Sequence, residues 1–217
     1  MIVSRGRGYI FVHIPKTGGT ALALALEERA MKDDILIGDT PKARRRRGRL
    51  AGVKTRGRLW KHSTLAEAEG LITPADLDRL RIVTLIRNPW DRAVSYYHWL
   101  RGQRFDNPAV TLAKGVDFTT FLNDPRTRAG FRDWPARRFV TDGAGRLRDC
   151  DIIRLERFGE DSAGFAAHLG FPLVLPRANA SPRARDWRIY YSDADADLIA
   201  RLCAEDIALG RYTFDPD

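Results

Sequence analysis

The sequence predicts an α/β fold organised around a central parallel sheet. Three stretches predict it. Residues 9–14 (YIFVHI) and 81–86 (RIVTLI) are apolar, β-branched runs of strand length, the pattern of strands buried on both faces. Each is followed by a short turn and then by helix formers, residues 21–29 after the first and 91–101 after the second. Residues 149–155 (DCDIIRL) make a third strand candidate, with a helix over 161–169 closed by Gly170. Repeated strand–turn–helix units imply parallel strands, with ligands bound outside their carboxyl ends.

The remaining elements follow in order. Residues 1–8 read as a short basic lead-in, and residues 34–38 (DILIG) as a short second strand. Residues 41–58 (PKARRRRGRLAGVKTRGR) are too basic and glycine-rich for a packed element, so a mobile, solvated loop is expected there. Thr64 and Glu67 have the spacing of a capping box, which places His62 just before a helix start. Thr73 and Pro74 begin another short helix. Asp117 caps a helix over 117–123, and Asp142-Gly143 marks a turn. Pro172, Pro176 and Pro182 make residues 171–186 extended and irregular. A last helix runs over 193–209, started by Ser192 and closed by Gly210, with an apolar stripe of Leu198, Ile199, Leu202, Cys203 and Ile207.

At 217 residues a single domain spanning 1–217 is expected. Hydrophobic residues make up 44% of the chain, enough for a full core and too many for a disordered protein. No apolar run reaches the length of a membrane span, and no signal-peptide pattern precedes the first strand. Cys150 and Cys203 have neither metal spacing nor the density of a disulfide framework. A reducing cytoplasm is the expected compartment, and no metal site is expected. The net charge of +9, from 37 basic and 28 acidic residues, implies an anionic partner without saying which. The basic stretch is internal and carries no interleaved aromatics, so nucleic acid is not the expected partner.

The chemistry concentrates in three places. In the first, Pro15 ends the opening strand and Lys16-Thr17-Gly18-Gly19-Thr20 forms the turn into the helix. Glycines without Cβ let backbone N–H groups approach an anion. The helix start adds unpaired N–H groups and a positive dipole end. Lys16 adds a full charge, and Thr17 and Thr20 add hydroxyls. The lysine precedes the glycines, unlike the G-x-x-x-x-G-K-[ST] loop of nucleotide triphosphatases. In the second, Arg87 ends a strand and Ser95 lies eight residues later, one helical turn beyond Asp91 on the same face. Arg87 and Ser95 can hold an anion there, or Arg87 can pair with a carboxylate while Ser95 packs against the sheet. The third is Lys61-His62-Ser63, between the other two in the chain.

The stretches HIPKTGGT and RNPWDRAVSYY resemble the two cofactor motifs of the sulfotransferases. They are most similar to the branch with the heparan-sulfate 2-O-sulfotransferases and their bacterial relatives. The likeness continues through DIIRLE at 151–156, Leu169-Gly170, Asn179-Ala180-Ser181, Tyr190-Tyr191 and Tyr212-Thr213-Phe214, so it covers about residues 9 to 214. It implies a P-loop-kinase-like three-layer fold and the sulfate donor PAPS (3′-phosphoadenosine 5′-phosphosulfate), with PAP as product and no metal. Carried over, Lys16, Thr17, Gly18, Gly19 and Thr20 would hold the 5′-phosphosulfate, and Arg87 and Ser95 the 3′-phosphate. Lys16 would also stabilise charge on the leaving phosphate. His62 would be the base that takes the proton of an acceptor hydroxyl, on a carbohydrate and possibly an anionic one. His13 is the next candidate, ahead of His98 and His168. Two positions depart from the pattern: Ala21 stands where relatives often carry Ser, and Arg177 where many carry His.

Two other readings stand beside this one. A small-molecule kinase on the same architecture would need ATP and Mg²⁺. A non-enzymatic polyanion or nucleic-acid binder would work through the arginines of 44–58.

Overall fold

A computed structural model of the chain describes residues 1–176 and 182–215. Arg177 and the Asn179-Ala180-Ser181 stretch lie outside the described residues. In chain order the elements are β1 (Ile2–Ser4), β2 (Tyr9–Val12), α1 (Gly19–Glu28), β3 (Ile35–Leu36), α2 (Pro41–Arg46), α3 (Pro74–Arg79), β4 (Arg81–Ile86) and α4 (Pro89–Arg101). Then come α5 (Pro108–Gly115), α6 (Phe118–Asn123), α7 (Pro125–Asp133), α8 (Ala136–Phe139), β5 (Asp151–Arg154), α9 (Phe158–Asp161), α10 (Ala163–Leu169), α11 (Asp193–Leu202) and α12 (Ala204–Gly210). They form two compact units. One comprises Met1–Ile86 and Ala136–Ala178, the other Arg87–Pro135 and Asn179–Asp217.

The first unit holds the sheet, in the order β3-β1-β2-β4-β5. β2, β4 and β5 run parallel, with Val12 opposite Thr84 and Ile86 opposite Arg154. Their carboxyl ends therefore share one edge, as the strand–turn–helix units imply. Tyr9, Phe11, Val83, Leu85 and Ile153 pack on Leu22 and Leu26 of α1 and on Phe165 and Leu169 of α10. The alternate residues Ile10, Val12, Ile82 and Ile86 are buried too, so both faces of the sheet are covered. That explains why the strands read as unbroken apolar runs. The fold is α/β, a sheet with parallel strands between helices, as expected.

Several elements differ from the sequence reading. Residues 1–8 are a hairpin, not a lead-in: β1 pairs antiparallel with both β2 and β3. Its three apolar or small residues are too few to show a period, and every one is buried. Residues 41–50 form α2 and a 3-10 turn, Arg47–Leu50, where a loop was expected over 41–58. Thr40 caps α2 by accepting from the Ala43 N–H at 3.1 Å, Pro41 starts it, and arginine is a good helix former. Residues 55–57 continue as backbone bonded to 67–69, through Arg56 N–H to Glu69 O and Gly57 N–H to Glu67 O. The capping box at 64–67 exists, with Thr64 N–H to Glu67 at 2.8 Å and Glu67 N–H to Thr64 Oγ1 at 3.1 Å. It closes a turn and no helix follows, because Gly70 at φ 100 breaks the run.

The second unit is helical. Trp90, Val94, Tyr97 and Leu100 of α4 pack with Phe118 and Phe121 of α6, Phe131 of α7 and Leu198 and Ile199 of α11. Asn88 caps α4 by accepting from the Trp90 N–H at 3.0 Å. Its amide donates to the Thr213 carbonyl at 3.2 Å, which ties the chain end to the helix start.

Candidate active site

The loop after β2 is shaped by two left-handed residues. Lys16 has φ 65 and Gly18 φ 87. A lysine in that region carries strain of order 1–3 kcal/mol, and such strain clusters at functional turns. Thr17 is buried, and its hydroxyl donates to the Ile14 carbonyl at 2.9 Å. The Thr17 O–H thus closes the turn, while the Thr20 hydroxyl has no hydrogen-bond partner among the described residues. Gly18 is the cap of α1 and has no side chain to bond the helix start, and no acid lies in the first turn. A ten-residue helix with an uncapped, uncompensated N-terminus favours an anion from outside. Ala21 is buried in that first turn, so this position supplies no hydroxyl.

Gly18 is required by its φ of 87, and Gly19 by what surrounds it. A Cβ on Gly18 would stand 2.7 Å from Leu155 Cδ1, where the chain leaves β5. A Cβ on Gly19 would stand 2.1 Å from the His13 ring. The loop is packed from one side by β5 and from the other by His13.

His13 is 5% exposed, stacks on Phe11 with centroids 5.8 Å apart, and meets the His62 ring edge-on at 4.5 Å. His62 Nδ1 lies 2.8 Å from the His13 carbonyl oxygen. A carbonyl only accepts, so Nδ1 carries the proton and neutral His62 keeps its lone pair on Nε2. Burial pushes the His62 pKa down to about 4, against the pull of that hydrogen bond, and the Lys61 charge lowers it further. Burial also holds His13 well below the usual histidine range, with His62, Lys61 and Lys16 acting in the same direction. Both rings are neutral at pH 7. Trp60 lies edge-on to His62 at 5.0 Å. The stretch is fixed by Trp60 N–H to Ser63 Oγ at 2.9 Å and by Leu65 N–H to the Phe139 carbonyl at 3.0 Å. Lys61 pairs with Asp39 at 2.6 Å.

The second unit carries Arg87 and Ser95. Arg87 donates from two nitrogens to Asp91 Oδ2, at 2.8 and 2.6 Å. Asp91 Oδ1 accepts from Arg183 at 2.5 Å. One carboxylate thus holds two guanidiniums, and Ser95 follows one turn later, 6% exposed. The other terminal nitrogen of Arg183, Nη1, is buried and has no hydrogen-bond partner among the described residues. The sequence reading missed Arg183, which lies in an irregular stretch with no period to single it out. Of the two possibilities left open for Arg87, the carboxylate pair is present.

The remaining histidines sort by their contacts. His168 bonds the Arg7 carbonyl through Nε2 at 2.9 Å and stacks on Phe165, a structural role. His98 lies between Tyr97 and Tyr190 in the second unit. Among the described residues no group of His, Cys, Asp and Glu is arranged to hold a metal ion.

No protein-family model and no curated protein matches the sequence. Among solved structures the chain is similar to the mouse sulfotransferase SULT7A1 complexed with PAP. The TM-score is 0.56 at 17% sequence identity, over 95% of this chain and 90% of that chain. At that identity the likeness is one of fold: the two chains share an α/β architecture.

Proposed function

We propose that this chain transfers a sulfuryl group from PAPS to an acceptor hydroxyl. One observation carries the reading. An uncapped, glycine-built helix start stands beside a neutral histidine whose Nδ1 is tied to the segment that feeds the loop. Both features lie in the unit that holds the sheet, which supports assigning anion binding and proton acceptance there. The fold shared with a sulfotransferase solved with PAP supports it. So does the resemblance of HIPKTGGT and RNPWDRAVSYY to sulfotransferase motifs, which also motivates a carbohydrate acceptor.

The residues present fit such a donor. Gly18, Gly19 and the first turn of α1 can accept an anion, and Arg183 has a buried donor without a partner among the described residues. When bound, PAPS supplies the sulfuryl group on a phosphate leaving group. In this reading Lys16, Thr17, Gly18, Gly19 and Thr20 hold the 5′-phosphosulfate, the Thr17 contribution coming from its backbone. Lys16 offsets charge on the leaving oxygen. Arg87 and Ser95 hold the 3′-phosphate. His62 accepts the proton of the attacking hydroxyl at Nε2, through a loose transition state like that of phosphoryl transfer.

A thermal-shift comparison of PAP with ATP·Mg²⁺ separates this reading from a kinase on the same fold. At 100 times its Kd, PAP should add about 2.7 kcal/mol of stability. A shift with ATP·Mg²⁺ and none with PAP would favour the kinase.

A further inference from the structure

With His62 as the base, His13 is left without a task. Its side chain is buried, yet neither ring nitrogen has a hydrogen-bond partner among the described residues. A buried polar group that finds no partner in its own chain is costly, and points to a partner from outside.

The contacts of the ring say where that partner sits. Phe11 stacks on it at 5.8 Å, and the His62 ring meets it edge-on at 4.5 Å. The edge with Cδ2 and Nε2 lies against Gly19: a Cβ there would stand 2.5 Å from Nε2 and closer still to Cδ2. Gly19 is the first residue of α1. The helix makes its first bond from the Ala21 N–H to the Gly18 carbonyl, at 2.9 Å. The N–H groups of Gly19 and Thr20 therefore have no partner within the helix. His13 Nε2 joins these main-chain groups at a helix start with no side-chain cap and no acid in its first turn. No hydrogen bond fixes the His13 tautomer, so the ring proton can sit on Nε2. Burial first, then the charges of His62, Lys61 and Lys16, hold the ring below the usual histidine range. It donates as a neutral group and leaves His62 basic, where an imidazolium in contact would lower it.

We propose that His13 binds the donor: its Nε2–H donates to the anion held at the start of α1, beside the Gly19 and Thr20 N–H groups. The inference rests on the sulfotransferase reading for the identity of that anion, the 5′-phosphosulfate. That an anion is held there at all stands on the unpartnered ring and the uncapped helix. The two histidines then divide the work, His13 on the donor and His62 on the acceptor. Gly19 lacks a Cβ so that the His13 ring can lie against the helix start.

The test is calorimetric titration of the full chain with PAP and with adenosine 3′-monophosphate, which lacks the 5′-phosphate. The wild type should bind PAP more tightly. His13→Phe keeps a ring against Phe11, Gly19 and His62 but has no N–H. It should weaken PAP by ~10- to 100-fold, the worth of one hydrogen bond to a charged group, and leave the 3′-monophosphate within about twofold. His13→Gln, whose amide can place an N–H near Nε2, should keep PAP close to wild type. Unchanged PAP affinity in His13→Phe would overturn the proposal. So would equal losses for the two nucleotides, or a His13→Gln variant as weak as His13→Phe, since either assigns the ring to packing. A wild type with no preference for PAP would sink the donor reading and this inference together. A preference that His13→Phe retains would sink this inference alone.

Discussion

The Nδ1–H of His62 donates to the main-chain carbonyl of His13 at 2.8 Å. That bond chooses the tautomer, and burial keeps the ring neutral. The ring lone pair is therefore on Nε2, the atom that the proposed reading makes the proton acceptor. Replacing His62 by Ala should lower kcat by ~10²–10⁴, as expected for loss of a general base. PAP affinity should stay within about twofold, because the base serves the acceptor. A variant that keeps its kcat would assign the proton to another group, with His13 next in line.

The same burial sets a pH dependence. His62 is lowered from 6.5 to about 4 in the fold, and His13 is lowered too. Between about 4 and 6.5 the unfolded chain binds protons at His62 that the folded chain does not. Stability therefore rises with pH across that window and is lost on acidification. Urea midpoints measured from pH 7 to pH 4 should fall in the wild type and fall less in His62→Phe. Parallel curves would show that His62 is not buried in solution.

Gly19 is held open for the His13 ring. Gly19→Ala should push that ring away and cost ~1–3 kcal/mol by overpacking. Because His13 touches His62, the same change should reduce activity by more than it reduces PAP affinity. Chemical denaturation and PAP titration on one sample read both effects. An unchanged denaturation midpoint would mean that the His13 ring does not pack on the loop.

Much of this was legible in the sequence, for stated reasons. β2 and β4 are long, apolar and followed by helix formers, so period and propensity agree. The Lys16 loop announced itself through glycines beside a lysine and threonines. β1 did not, since three residues give no period and the basic, glycine-containing turn after it read as a lead-in. α2 was hidden by charge: its arginines read as solvated, and only the fold shows that Arg46 and Arg49 reach the carbonyls of residues 31–34. Arg183 was hidden by irregularity, and its tie to Asp91 is a contact across ninety-two positions. The Thr17 hydroxyl was read as a ligand donor, yet it serves the turn.

Arg87 and Arg183 share Asp91, and the proposed reading gives Arg87 the 3′-phosphate. Arg87→Ala should weaken PAP by the ~1.5–3 kcal/mol of a charge-assisted contact. Adenosine 5′-monophosphate, which lacks the 3′-phosphate, should bind the variant as it binds the wild type. Equal losses for both nucleotides would place Arg87 away from the 3′-phosphate.

The central claim is donor binding through two separate phosphates, and one measurement tests it most directly. Calorimetric titration of the wild type with PAP, adenosine 5′-monophosphate and ATP·Mg²⁺ compares the three on equal terms. The account predicts that PAP binds tightest, by ~10-fold or more over the monophosphate, the worth of one charge-assisted contact to the 3′-phosphate. PAP binding no tighter than the monophosphate, or weaker than ATP·Mg²⁺, would contradict it.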